Sequence, residues 1–142
     1  MESSKIEYFE RNSGIKFPLV IPIEAPELNT IQYKLKQIFG LCEKSELLDL
    51  LKVMRSNQIM LNRNAMEEKF SLLELFSSQG IIPHDFVYIN WYRFDVVDKM
   101  KLLDLCQYFN DIWYPGPDDI DIFDDSFQWI VSVSYNGIIY RW

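Results

Sequence analysis

The chain has 142 residues, of which 49% are hydrophobic and 25% are charged. This size and composition are typical of a single globular domain, residues 1–142, and exclude an intrinsically disordered chain. The 14 basic and 21 acidic residues give a net charge of −7, which argues against nucleic acids and anionic membranes as partners.

The first 80 residues have the patterns of helices, interrupted by one extended stretch. Capping residues and apolar residues at helical spacing predict helices over 4–13, 27–39, 45–57 and 64–80. Three prolines between residues 15 and 26 exclude a regular helix there. They favour an extended segment with an edge strand at 19–21.

After Pro83 the sequence takes on the pattern of β-strands. Aromatic and β-branched residues occupy both faces of 86–94, which predicts a central strand. Further strands are predicted over 118–123, 127–135 and 138–142, and one helix is predicted from Asp98 to Asn110. Asn136-Gly137 is the strongest hairpin signal and favours a type I′ turn, in which both residues have positive φ.

Together these elements predict an α+β fold. We expect the helical N-terminal half to pack on one face of an antiparallel β-meander that is formed mainly by residues 86–142. The sequence leaves the oligomeric state open, although the aromatic last strand, 138–142, could pair with a second copy.

The chain contains few side chains suited to catalysis or metal binding. His84 is the single histidine, and Cys42 and Cys106 are the two cysteines. A zinc site with four Cys or His ligands is therefore excluded, and nucleophilic catalysis would depend on His84 alone. Glycine-rich phosphate-binding motifs are absent. We predict no catalytic residues, no metal ligands and no cofactor.

The start of the chain lacks a basic segment followed by an apolar core, so no signal peptide is expected. No apolar run is long enough to span a bilayer. The two cysteines show no pairing motif. These features predict a cytoplasmic protein with free thiols.

The negative charge is concentrated in one part of the chain. Residues 102–140 contain no Lys or Arg but seven aspartates, so this segment alone has a charge of −7. The other 14 acidic and 14 basic residues cancel. Of the 22 aromatic residues, 15 follow His84. The acidic, aromatic C-terminal half is therefore the most informative feature of the sequence.

Five of these aspartates lie close together: Asp118, Asp119, Asp121, Asp124 and Asp125. Aspartates favour turns and protect edge strands from aggregation, so these residues could have only a structural role. Two of them could instead bind Mg²⁺ or Ca²⁺ or form an acid–base pair, although their spacing does not match an EF-hand. A third interpretation is a surface that binds a basic protein.

In the third interpretation the five carboxylates supply electrostatic complementarity, and Trp113 and Tyr114 are aromatic anchors. Nuclease active sites are basic because they bind phosphates. An acidic surface can therefore occupy such a site and compete with the nucleic acid.

The run IWYPGPDDIDIFDDSFQW at 112–129, followed by the hairpin signal, resembles the C-terminal part of small acidic immunity proteins. These are encoded beside bacterial polymorphic or contact-dependent growth-inhibition toxins. The resemblance covers about the last third of the chain. It implies a cytoplasmic antidote that binds one cognate protein toxin and is not an enzyme.

We therefore expect an immunity protein that neutralises a toxin, with a basic nuclease as the expected target and neither nucleic acid nor membrane as a partner. A small metal-dependent or carboxylate enzyme is one alternative. A protein-interaction scaffold of another function is the other.

Overall fold

Seven strands form one sheet in a computed structural model that describes residues 1–142. In chain order the strands are β1 (Val20–Pro22), β2 (Ile59–Asn64), β3 (Phe86–Trp91), β4 (Val97–Lys101), β5 (Ile120–Phe123), β6 (Val131–Val133) and β7 (Ile138–Arg141). They lie across the sheet in the order β1-β4-β3-β5-β6-β7-β2, and each neighbouring pair is antiparallel. The central position predicted for β3 is therefore confirmed.

Six helices cover the sheet. They are α1 (Ser3–Ser13), α2 (Glu27–Ile38), α3 (Leu47–Asn57), α4 (Leu72–Ser78), α5 (Leu102–Gln107) and α6 (Phe109–Ile112). None of them combines the length and the apolar character that crossing a membrane requires. The predicted α+β class is confirmed, with most helix in the N-terminal half and most strands after residue 85.

Helices pack on both faces of the sheet, and not on one face as expected. Successive side chains of a strand point to opposite faces. Val87 and Ile89 of β3 lie in a first core of 19 buried residues, whereas Tyr88 lies in a second core of 11. Helices α4, α5 and α6 contribute to the first core, and α2 and α3 contribute to the second. Because both faces of β3 are apolar, a single helical layer would leave one face in water.

Strands β1 and β2 form the two edges of the sheet. β1 confirms the predicted edge strand, and Pro18 and Pro22 remove backbone donors from that edge. The sequence patterns do not predict β2. This strand is a short segment between α3 and α4, and its register with β7 is irregular. Because β2 covers β7, the last strand is inside the sheet, and the expected exposure of its edge to a second copy is wrong.

Two helices begin later than the sequence predicts. The helix predicted over 64–80 starts only at Leu72, as α4, because Asn64 ends β2 and residues 65–71 form turns and irregular backbone. Asp98 does not cap a helix but lies in β4, and α5 starts at Leu102. The Asp98 carboxylate is buried and accepts a hydrogen bond from the Trp91 indole nitrogen at 2.8 Å. Pairing of β4 with both β1 and β3 explains why this segment is extended.

The predicted hairpin joins β6 and β7, but its turn is not of type I′. The Gly137 amide donates to the Ser134 carbonyl at 2.8 Å, and within the turn only Gly137 has a positive φ, of 80°. A type I′ turn needs positive φ at both central residues. The Asn64 side chain fills the space beside Gly137, where an added Cβ would lie 2.2 Å from Asn64 Oδ1.

Gly137→Ala should therefore destabilise the protein more than Gly80→Ala. Both glycines have positive φ, which costs an L-residue about 1–2 kcal/mol, but the space around Gly80 is open. We expect Gly80→Ala to lower the free energy of unfolding by about 1–2 kcal/mol. For Gly137→Ala we expect about 2–4 kcal/mol, since overpacking is added. Urea denaturation measures both losses, and equal values would contradict the close contact with Asn64.

Candidate protein-binding surface

The structure separates the five predicted acidic residues into three places. The four residues of β5 span about 13 Å. Asp118 and Asp119 precede one end of this strand, and Asp124 and Asp125 follow the other end. Asp121 lies within β5, which pairs with β3 and β6 and is not an edge strand. The five carboxylates therefore do not form one cluster.

Asp118 is buried beside α1 and forms an ion pair with Lys5. The Lys5 ammonium donates to the Asp118 carboxylate and to the Ile112 carbonyl, the latter at 2.8 Å. The same ammonium lies 4.7 Å from the centroid of the Tyr114 ring, and the Tyr114 amide donates to Asp118 at 2.7 Å. Asp118 therefore joins α1 to the turn that follows α6.

The two predicted aromatic anchors lie in this turn. Trp113 is buried in the first core, where it stacks on Phe109 with ring centroids 5.9 Å apart. Its indole N–H donates to the Asp118 carbonyl at 3.0 Å. Tyr114 is half-buried, and burial raises the pKa of its hydroxyl. Trp113 is therefore a core residue, and Tyr114 offers only part of its ring to solvent.

Asp121 is fully buried on the second face of the sheet. Its carboxylate accepts hydrogen bonds from three side chains: Arg55 of α3 at 2.6 Å, Asn90 of β3 at 2.8 Å and Ser132 of β6 at 2.5 Å. Gln58, at the end of α3, donates to Ser132 at 2.6 Å. This network satisfies a buried charge and ties α3 to three strands, so Asp121 has a structural role.

Asp124 is also fully buried. One of its carboxylate oxygens accepts the His84 backbone N–H at 2.9 Å and the Trp129 indole N–H at 3.1 Å. The other oxygen accepts the backbone N–H and the hydroxyl of Ser126. Four donors thus occupy both oxygens, and no basic side chain takes part.

Asp119 and Asp125 are the two acids of the set that reach solvent. Asp119 is half-buried and accepts the Tyr135 amide at 2.9 Å. The Asp125 side chain is 66% exposed, and its Oδ1 lies 2.5 Å from Nδ1 of His84. The hydrogen bond between them raises the pKa of His84 and lowers the pKa of Asp125.

The expectation of a single exposed acidic surface with two aromatic anchors is therefore wrong. Four of the seven predicted side chains are buried: Asp118, Asp121, Asp124 and Trp113. A carboxylate can be buried only where donors compensate for lost hydration. Two of these donors, Lys5 and Arg55, come from distant parts of the chain, which the charge pattern of residues 102–140 does not reveal.

One group of side chains has the chemistry of metal ligands. Ligand atoms of His84, Asp124 and Asp125 lie within 4.8 Å of one another. However, a metal ion bound there would have to displace a donor from the buried Asp124 carboxylate. The Asp121 carboxylate is likewise occupied by protein donors. The geometry thus does not favour either buried carboxylate as a metal ligand.

The most exposed apolar side chain is that of Ile82, which is 89% exposed in the connection between α4 and β3. The preceding residue, Ile81, is buried, and its amide donates to the Phe76 carbonyl at 2.9 Å. On the other side the His84 amide is bonded to Asp124. The backbone is therefore held on both sides of Ile82, and this holds the side chain in water.

Other exposed apolar side chains, two acids and two lysines, Lys99 and Lys101, surround this loop. Shallow cavities of about 270, 410 and 450 Å³ lie around it and share lining residues with one another or with the loop. We define the Ile82 surface as Leu73, Ile82, His84, Asp85, Phe86, Leu103 and Asp125, all of them exposed. Apolar side chains bordered by charged residues are typical of surfaces that contact other proteins.

The charge pattern of the sequence thus predicts one acid of this surface, Asp125, but no sequence pattern predicts the exposure of Ile82. The local signal is the pair Ile81-Ile82 between the helix-ending Gly80 and Pro83. Two apolar residues between a helix-ending glycine and a proline indicate that one of the two packs into the core. Which of the two points into water depends on the path of the loop, and this path is set by contacts with the β5–β6 turn.

The chain was also compared with protein-family models, curated proteins and solved structures. None of these comparisons found a match. No function is therefore carried over to the Ile82 surface from a known protein.

Asp124→Ala and Asp125→Ala should differ in stability although the two residues are neighbours. Asp124→Ala leaves four donors without their acceptor. Because hydrogen bonds to charged groups contribute about 1.5–3 kcal/mol each, we expect a loss of at least about 3 kcal/mol. Asp125→Ala removes only the exposed pair of Asp125 with His84, so we expect little change in the urea midpoint. Equal urea midpoints would contradict the buried role of Asp124.

Proposed function

We propose that this protein is an immunity protein that binds and neutralises a cognate bacterial toxin through the Ile82 surface. The observation that carries the proposal is Ile82, an apolar side chain 89% exposed on a loop that is held on both sides. Contact of an apolar side chain with water is unfavourable. A partner that covers Ile82 removes this unfavourable contact.

Pre-organisation of the loop supports the proposal. Association normally costs free energy, since loops and side chains become ordered. Backbone hydrogen bonds already hold the Ile82 loop, so ordering the loop adds little to the free-energy cost of binding a partner. Phe86 and Leu103 extend the apolar area, and the charged side chains at its border are Asp85, Lys99, Lys101 and Asp125. An apolar centre with a polar rim is the usual arrangement of a protein interface.

The charge outside the core supports a basic partner. Four acidic side chains but only one basic side chain are buried, which leaves 17 acidic and 13 basic side chains partly or fully exposed. A net negative surface speeds encounter with a positively charged protein. Nuclease domains have such basic surfaces because they bind phosphates, and a nuclease is the class of toxin that we propose.

We further propose that the protein acts in the cytoplasm, without catalytic activity. Cys42 and Cys106 are free thiols, which are usual in a reducing compartment. The resemblance of residues 112–129 to immunity proteins agrees with this role. The buried acids of that segment stabilise the fold, so the interface that we propose includes Asp125 but not Asp118, Asp121 or Asp124.

Ile82→Asp should strongly weaken toxin binding without unfolding the protein. The side chain is almost fully exposed, so its replacement removes little packing. Loss of an interface anchor costs about 2 kcal/mol or more, which is about 30-fold in Kd. The measurement is a calorimetric titration with the C-terminal domain of a large secreted protein encoded beside the gene for this chain.

Met66→Asp is the matched control. Met66 is 55% exposed and lies beside Gly137, in the hairpin at the opposite end of the sheet. The same substitution there should leave binding unchanged. Equal binding by wild type and Ile82→Asp would refute the Ile82 surface as the interface. Failure of the wild-type chain to bind would instead refute toxin neutralisation.

Asp85→Lys should slow association with the toxin. Charges at the rim of an interface act mainly on the association rate, and their effect is screened over about 8 Å at physiological ionic strength. We expect a decrease of about 3- to 10-fold at low salt that shrinks as salt is added. Stopped-flow kinetics measures the rate. Glu68→Lys makes the same charge change near Met66, and an equal slowing by both variants would contradict local steering.

A further inference from the structure

Two loops meet at His84 and Asp125, next to Ile82. His84 belongs to the connection from α4 to β3, and Asp125 belongs to the turn between β5 and β6. The imidazole Nδ1 lies 2.5 Å from Asp125 Oδ1, and the His84 backbone N–H donates to Asp124 at 2.9 Å. One bond from the side chain and one from the backbone thus join the Ile82 loop to this turn.

We propose that His84 and Asp125 form a latch that holds Ile82 in the position in which it meets the partner, and that deprotonation of His84 loosens the loop. His84 is a positioning residue in this proposal, because it acts through Ile82. The effect on binding rests on the proposed function. The latch itself is a property of the unbound chain.

The latch adds to the two backbone bonds that hold the loop, from the Ile81 amide to Phe76 and from the His84 amide to Asp124. The Ile82 N–H makes no hydrogen bond within the chain, and Pro83 has no N–H to donate. After Ile81, His84 is therefore the first residue whose N–H is bonded to the rest of the fold. Weakening the bond between the His84 amide and Asp124 therefore frees the segment that carries Ile82.

The surroundings of His84 favour its protonated form. The titratable and charged groups that face it are Asp85, Tyr88, Lys99, Asp124, Asp125 and Arg141. The hydrogen bond to Asp125 is the largest cause of the raised pKa of His84, and the charge of Asp124 adds to it. Burial raises the pKa of Tyr88 to about 12, so that its hydroxyl stays neutral from about pH 6 to about pH 9.

These shifts define the pH window in which the latch is closed. The pKa of His84 is raised in the folded state. The stabilisation that the His84–Asp125 pair gives the loop is therefore lost as pH rises through this raised pKa. Because the pKa of Asp125 is lowered, the contribution is also lost as pH falls through the Asp125 value. The pair is therefore strongest in mildly acidic solution and weaker in alkaline solution, where the neutral imidazole keeps at most a hydrogen bond to Asp125.

The test uses the unbound chain and two NMR readouts. His84 is the single histidine, so its ring resonances give its pKa directly. Exchange of the His84 amide reports on the bond to Asp124. We expect a His84 pKa above 6.5 that falls toward this value in Asp125→Asn. We also expect the amide protection factor to be about two- to five-fold lower at about pH 9 than at about pH 6.

Two variants serve as controls. His84→Gln has no titrating ring, so protection of its residue-84 amide should be the same at both pH values. Asp85→Asn removes a neighbouring acid that makes no bond to the imidazole, and protection at about pH 6 should stay at the wild-type value. A wild-type His84 pKa that does not fall in Asp125→Asn, or equal wild-type protection at both pH values, would overturn the latch.

A binding measurement completes the test. Affinity of the wild-type chain for the toxin domain should fall about two- to five-fold between about pH 6 and about pH 9, and that of His84→Gln should not. A latch that opens without this difference would overturn its role in binding. Since the NMR readouts need no toxin, failure of the latch is distinguishable from failure of the proposed function.

Discussion

Strands β3 and β5 are buried on both faces, and the rest of the fold depends on this constraint. Ile89 and Ile122 face the first core, whereas Tyr88 and Phe123 face the second. A strand that is buried on both sides needs two covering layers, so α2 and α3 must fold over the second face. An acid within such a strand cannot reach water, and Asp121 is compatible with β5 only because α3 supplies a basic partner.

The same requirement applies at both ends of β5. Asp118 is compensated by the Lys5 ammonium, and Asp124 is compensated by backbone, hydroxyl and indole donors. Removal of a charge from water is costly unless such partners are in place. The segment with the largest negative charge thus determines where α1 and α3 pack. Only part of it remains exposed to solvent.

With these acids inside the fold, the surface that we propose as an interface is formed largely by connections at one end of the sheet. The Ile82 loop combines exposure with rigidity, since contacts on both sides prevent the apolar side chain from folding inward. Asp125 joins this surface from the β5–β6 turn. A charged residue predicted from sequence and an apolar residue that was not predicted therefore belong to one candidate interface.

Local patterns were sufficient for the α+β class, the edge strand β1, the central strand β3 and the hairpin that ends the chain, because each depends on residues that are close in sequence. They did not reveal β2, the second helical layer or the burial of Asp118 and Asp121. The ion pairs of these two acids join residues that are 113 and 66 positions apart. Whether a carboxylate faces water or the core depends on such distant donors, because only the folded chain brings them within hydrogen-bonding distance.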